Sequence, residues 1–191
     1  LTANQGNNKL FLNKGALKFE DVTAMARIPQ DSGWSTGVSV IDINNDSLLD
    51  IYISKVGHYK TLNSKNQLLI CKGIDKQGAP FYADEAQAYG LDFSGFSTQA
   101  AFLDYDGDGD LDMFLLNHSV NHDGNYAPRK DFLNTYDSLA GQKLYRNELM
   151  KGADGKKAIH FINVTKQAGI NGSKIGYGLG IAVADINLDG W

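Results

Sequence analysis

Five aspartates crowd into one short stretch, Asp104-Tyr105-Asp106-Gly107-Asp108-Gly109-Asp110-Leu111-Asp112. Carboxylates this close repel one another unless a cation holds them. Oxygen-only donors at alternating positions suit a hard ion, and calcium, which takes about six to eight oxygens, is the best match. In a tight loop, side chains at positions 1, 3 and 5 point inward, and a Gly or small residue at 6 lets the backbone reverse. The carbonyl at 7 then faces the ion and a carboxylate at 9 closes the shell. The pattern assigns Asp104, Asp106, Asp108, Gly109, the Asp110 carbonyl and Asp112 to those places. Two relatives of this loop occur in the chain. One supplies Asp42, Asn44, Asp46, Ser47, the Leu48 carbonyl and Asp50, and the other supplies Asp185, Asn187, Asp189 and Gly190 before the sequence ends at Trp191. An EF-hand needs a bidentate Glu at position 12 between two helices. Position 12 is Ile53 in the first loop and Leu115 in the second, so that class is excluded. Asp, Asn and Gly also favour plain turns without any metal.

Charge distribution supports sites rather than an acidic surface. Net charge is -4, but ten of the 22 acidic residues lie in the three loops, and the other 12 face 18 Lys and Arg. The basic residues are scattered, which argues against nucleic-acid binding. Hydrophobic content of 42% with 21 Gly describes an ordered, turn-rich chain. The single Cys71 excludes an internal disulfide and sits in the apolar run Leu68-Leu69-Ile70-Cys71, where it reads as a small buried hydrophobe. No apolar run approaches the roughly 18 residues of a membrane span. The sequence opens at Leu1 rather than Met, which suggests a piece of a longer polypeptide.

The elements that position the loops recur in a fixed order. Asn8-Lys9-Leu10-Phe11-Leu12-Asn13 and Phe19-Glu20-Asp21-Val22-Thr23 precede Val38-Ser39-Val40-Ile41, the Asp42 loop and Ile51-Tyr52-Ile53-Ser54. Asn66-Gln67-Leu68-Leu69-Ile70 and Phe81-Tyr82-Ala83-Asp84 precede the Asp104 loop. Gln142-Lys143-Leu144-Tyr145-Arg146-Asn147, Phe161-Ile162-Asn163-Val164-Thr165 and Ala168-Gly169-Ile170 precede Asp185. Short runs of β-branched and aromatic residues punctuated by Gly, Asn and Asp predict antiparallel strands, with a helical turn near 84–89 or 165–169.

The repeated unit is about four strands, as in a blade of a β-propeller. Each blade starts with a hairpin closed by an Asp loop and ends with the Leu-rich and Phe-centred strands. The expected architecture is all-β and incomplete: the end of one blade at 8–30, whole blades at 36–86 and 97–165, and the start of another at 177–191. The rest of the same polypeptide would be needed to close the ring. Two long connections, 55–65 and 118–141, join second to third strands and so fall opposite the Asp loops. The longer one carries His118, His122, Asp123, Tyr126, Arg129, Lys130 and Tyr136.

A Gly-rich strand, the loop Asp104-Tyr105-Asp106-Gly107-Asp108-Gly109-Asp110-Leu111-Asp112 and an apolar strand together resemble the FG-GAP or VCBS repeat, the calcium-binding blade of integrin-alpha-like propellers. The elements Leu144-Tyr145-Arg146-Asn147, Phe161-Ile162-Asn163-Val164-Thr165 and Ala168-Gly169-Ile170 resemble the variety found in large secreted and outer-membrane proteins of Bacteroidota-type bacteria. Ser47 for Gly, and Asn44 and Asn187 for Asp, depart from the pattern. The resemblance implies a non-catalytic, calcium-stabilised module, extracellular or at the cell surface, that binds a protein or glycan on the face opposite the loops. The alternative is the propeller scaffold of a polysaccharide lyase or related sugar-modifying enzyme, with its site on the 118–141 face. There His118, His122, Arg129 and Tyr136 would supply base, charge neutraliser and acid. No Gly-x-Ser-x-Gly elbow, phosphate loop or Cys/His zinc spacing occurs.

Overall fold

A computed structural model of the chain describes residues 7–31, 33–120, 128–132, 135–151 and 157–187, apart from the side chains of Arg129 and Lys157. Among these, every extended element pairs antiparallel. Strands β1 (Phe11–Asn13) and β2 (Phe19–Asp21) form a two-stranded ribbon. Strands β3 (Trp34–Ile41), β4 (Asp50–Val56), β5 (Gln67–Ile74) and β6 (Pro80–Asp84) form a four-stranded sheet in sequential order. A second sheet repeats that order with β7 (Ser97–Leu103), β8 (Asp112–Asn117), β9 (Lys143–Lys151) and β10 (Lys157–Asn163). One helical turn, α1 (Ala86–Tyr89), follows β6 and ends at Gly90. The 165–169 segment is a turn without a helix. No described helix is long and apolar enough to cross a membrane.

The central strands read as unbroken apolar runs because both of their faces are covered. In β4 and β5 the alternating set Ile51, Ile53, Leu69 and Cys71 packs against Ala26, Ile28 and Tyr82. The opposite set, Tyr52, Leu68 and Ile70, packs against Ala100, Met113 and Leu115 of the second sheet. Successive sheets therefore stack face to face around one shared apolar layer. On the second sheet the corresponding outer face lacks such a cover among the described residues, leaving Ile162 exposed.

Hydrogen bonds between sheets repeat from one copy to the next. The Thr36 hydroxyl lies within donating distance of the Ser54 and Ser97 carbonyls, at 3.1 and 2.7 Å. Thr98 does the same toward Leu116 and Gly178, at 3.1 and 3.3 Å. The Gly57 N–H donates to the Gly95 carbonyl at 2.7 Å, and the Ser119 N–H donates to the Gly176 carbonyl at 2.7 Å. Val56 bridges Phe96 just as His118 bridges Tyr177. The third copy thus docks its first residues on the second sheet as the second sheet docks on the first. Beyond that bridge, residues 178–187 form no strand. The stacking is close at its innermost point: a Cβ on Gly37 would lie 2.2 Å from the Thr98 carbonyl oxygen.

The Phe-centred motif has its own physical reason. Asp21 accepts the Thr23 N–H at 3.1 Å and its hydroxyl at 2.6 Å, while the Thr23 oxygen accepts the Leu10 N–H at 2.9 Å. Asn163, Thr165 and Leu144 repeat this arrangement at 3.1, 2.7 and 2.9 Å. In each case a side chain at the end of the last strand pins the start of its neighbour, setting the register.

Where it is described, the 118–141 connection packs back on neighbouring segments. Phe132 and Ala140 are buried, the Phe96 N–H donates to the Leu139 carbonyl, and the Asp137 N–H donates to the Gly172 carbonyl. His122, Asp123 and Tyr126 lie outside the described residues, as does the Arg129 side chain.

Candidate metal centre

The β3–β4 and β7–β8 turns are the first two Asp loops, and their backbones are folded by the same hydrogen bonds. Position 1 accepts from positions 5 and 6: Asp42 takes the Asp46 and Ser47 N–H groups at 3.0 and 2.8 Å. Asp104 takes those of Asp108 and Gly109 at 3.2 and 3.0 Å, and that of Gly107 at 2.8 Å. Position 5 accepts from position 7, Asp46 from Leu48 at 2.8 Å and Asp108 from Asp110 at 3.1 Å. These bonds curl the loop so that positions 1, 3 and 5 share one side. Both loops use left-handed backbone at positions 4 and 6: Asn45 (φ 56) and Ser47 (φ 68), Gly107 (φ 76) and Gly109 (φ 92). Ser47 therefore occupies a conformation that glycine takes more readily.

In the second loop, carboxylate oxygens of Asp104, Asp106 and Asp108 lie within 4.8 Å of one another and face solvent. Each pair repels by about 1 kcal/mol at that separation in a water-like medium. In the first loop the charge is lower, and the Asn44 amide donates to Asp46 at 2.9 Å, relieving the crowding. The donor set is oxygen only, open on one side and anionic, which fits a calcium ion rather than a soft metal. The Asp110 carboxyl adds to the fit. Its Oδ1 is shielded from solvent without a hydrogen-bond partner among the described residues. Burial, then the charges of Asp108 and Asp112, push it up to about 6. A cation in the loop would offset the charge of the three clustered carboxylates and of Asp110, whose carboxyl feels the Asp108 charge.

Position 9 has a different setting. Asp50 and Asp112 are fully buried. Asp112 accepts the Tyr105 N–H at 2.9 Å and the Asn147 N–H at 2.8 Å. Asp50 accepts the Ile43 N–H at 3.1 Å and the Cys71 N–H at 2.7 Å. Burial raises both carboxyls above their ordinary value, opposed by these backbone donors. The ninth acid thus clamps its loop to the third strand of its sheet, whatever else it holds. Position 7 is Leu48 in the first loop and Asp110 in the second. Asp185 and Asn187 lie in the exposed segment beyond the second sheet, and Asp189 lies outside the described residues.

Arg146 was not legible as a loop partner. Its Nε lies 4.0 Å from Asp106 Oδ2, and it also pairs with Glu148. Pairing Met113 with Tyr145 and Ile51 with Leu69 puts Arg146 at the place of Ile70. That substitution is visible when the two copies are aligned, and it sets a cation beside the more acidic loop.

Comparison with known proteins fits this geometry. Residues 1–53 match the FG-GAP-like repeat. The match includes the Asp42 loop, and the second loop, outside the matched residues, has the same hydrogen-bond pattern. A relative with 25% identity over 159 residues is Paraclostridial mosquitocidal protein 1 from Paraclostridium bifermentans. The alignment covers 78% of this chain and 12% of that protein, so the chain spans a small part of the relative's length.

Proposed function

We propose that the chain is part of a calcium-stabilised β-propeller module, extracellular or at the cell surface, that binds a protein or glycan without catalysis. The two four-stranded sheets are two of its blades, 36–86 and 97–165, with partial blades at 8–30 and 177–191. The rest of the same polypeptide closes the ring. The observation that carries this reading is the shared folding of two Asp loops: three clustered carboxylates remain open in the second, while the ninth acid is tied to the third strand. Asp104, Asp106 and Asp108, with Asp110 and Asp112, hold the ion in that loop. Asp42, Asn44, Asp46, Leu48 and Asp50 hold it in the first, and Asp185, Asn187 and Asp189 begin a third site. Calcium there supplies charge neutralisation, so its binding energy adds to the stability of the hairpin. Sensitivity at millimolar calcium suits an extracellular setting.

Binding is assigned to the sheet ends opposite the loops, where the long connections lie on a rigid scaffold. His118 supports binding over a lyase, because its ring packs on Tyr177 at 5.4 Å between centroids and its Nδ1 lies 3.4 Å from the Gly178 carbonyl. Calcium titration monitored by thermal unfolding tests the reading, and an unchanged melt across the titration overturns it.

A further inference from the structure

We propose that the groove beside the 118–141 connection is a carbohydrate subsite, with Tyr136 as its stacking platform. The proposal rests on the binding-module reading above and names its ligand class. The groove has a volume of about 810 Å³ and lies between the connection and the turn after β10. Its walls include Thr135, Tyr136, Lys166, Gln167, Asn171 and Gly172. It sits at the strand ends opposite the Asp104 loop, since β10 ends at Asn163 beside Tyr145 near the start of β9.

Tyr136 is 70% exposed, yet it is held in place. A Cβ added to Gly172 would lie 3.0 Å from its Cδ2, so the ring edge rests on bare backbone. The neighbouring Asp137 N–H donates to the Gly172 carbonyl at 2.8 Å, and the Gly141 N–H donates to the Asp137 carbonyl at 3.0 Å. The buried Lys143 ammonium lies 5.9 Å from the ring centroid. A fixed aromatic surface with much of its area free costs little ordering entropy on binding.

Two amides beside it are uncommitted, while the Thr135 and Thr165 hydroxyls are already hydrogen-bonded. Gln167 and Asn171 are exposed, and their amides make no hydrogen bond among the described residues. Among the described residues no carboxylate lines the groove, and Lys166 gives it a positive charge. A pyranose presents an apolar C–H face for the ring and a hydroxyl edge for amides that both donate and accept. The lining is mixed, with apolar surface at Tyr136 and Ile170 beside the amides of Gln167 and Asn171, which suits a ligand with one apolar face and one hydroxyl edge. The equivalent end of the first sheet differs: its cleft carries Asp31, Asp84 and Asp92 and no aromatic side chain. The subsite is therefore a property of the second sheet.

The test is titration of the calcium-loaded chain with immobilised β-gluco-, α-manno- and β-galacto-oligosaccharides and an oligo-uronate, alongside a melt of the same sample with and without calcium. Binding to any of these sugars should fall about tenfold or more in Tyr136→Ala and stay within about twofold in Tyr136→Phe. Gln167→Ala should weaken it about threefold to tenfold with an unchanged melt, which decides the matter if Tyr136→Ala disturbs folding. Uronate binding alone, lost at high salt, still supports the subsite and assigns Lys166 to the acid group. Absence of binding to all four sugars overturns the proposal, as does binding that neither Tyr136→Ala nor Gln167→Ala changes. A calcium-dependent melt with no sugar binding removes the subsite and leaves the module reading intact, whereas a calcium-independent melt removes that reading and the proposal with it.

Discussion

Asp112 and Asn147 are joined by a 2.8 Å hydrogen bond from the Asn147 backbone N–H to a fully buried carboxylate, across 35 residues of sequence. The other oxygen of Asp112 accepts the Tyr105 N–H at 2.9 Å, so one side chain ties the Asp loop to the third strand of its sheet. Asp50 makes the same connection to Cys71 and Ile43. The ninth acid is therefore a clamp in its own right, and that separates it from the exposed carboxylates at positions 1, 3 and 5.

Asp112→Ala should destabilise the chain by about 2–5 kcal/mol in chelator as well as in calcium, because two buried N–H groups lose their acceptor. Asp106→Asn should cost stability in calcium only. Urea unfolding under both conditions distinguishes the two roles, and equal behaviour of both variants in chelator would remove the distinction.

Ser47 and Gly109 occupy the same left-handed position, at φ 68 and φ 92. Ser47→Gly should stabilise the first loop by about 0.5–1 kcal/mol, since strain relief exceeds the added chain entropy. A Cβ on Gly109 would meet nothing within 4 Å, so Gly109→Ala should cost about 1–2 kcal/mol from backbone strain alone. Denaturation midpoints measure both, with opposite signs expected.

Gly37→Ala should be far more damaging. Its Cβ would lie 2.2 Å from the Thr98 carbonyl oxygen, where the first strands of successive sheets meet. Neither backbone can yield without breaking its own ladder, so a loss of about 3 kcal/mol or more is expected. A melting temperature within a degree or so of the parent would mean that the sheets do not approach this closely.

Lys143 sets a pH dependence. It is buried, its ammonium stands 4.6 Å from the Phe93 ring centroid, and desolvation lowers it from its ordinary 10.5, with Asp137 opposing. Between the lowered folded value and 10.5, the unfolded chain holds a proton that the folded chain has released. Stability therefore rises with pH across that window. Relative to Lys143→Met, the parent should gain stability on going from neutral toward alkaline pH, and a parallel pair of pH profiles would contradict the assignment.

Much of this was legible in the residues. Charge spacing placed both hairpin loops, and the repeated order of Leu-rich and Phe-centred runs matched four-stranded sheets in sequential order. Contacts between copies were not legible. Arg146 reaches Asp106 only because β9 lies beside β8, and the Gly37 approach to Thr98 depends on how two sheets stack. Asp112 was legible as an acid in a loop, but its partner Asn147 belongs to a distant strand. The same holds for Lys143, whose place between Phe93 and Tyr136 is set by the long connection folding back.

Thermal unfolding in about 1 mM calcium and then in excess chelator bears most directly on the calcium-stabilised propeller. Each occupied loop should raise the melting temperature by about 3–6 °C, and Asp106→Asn with Asp108→Asn should erase the share of the second loop. Identical melting temperatures with calcium and with chelator would contradict it.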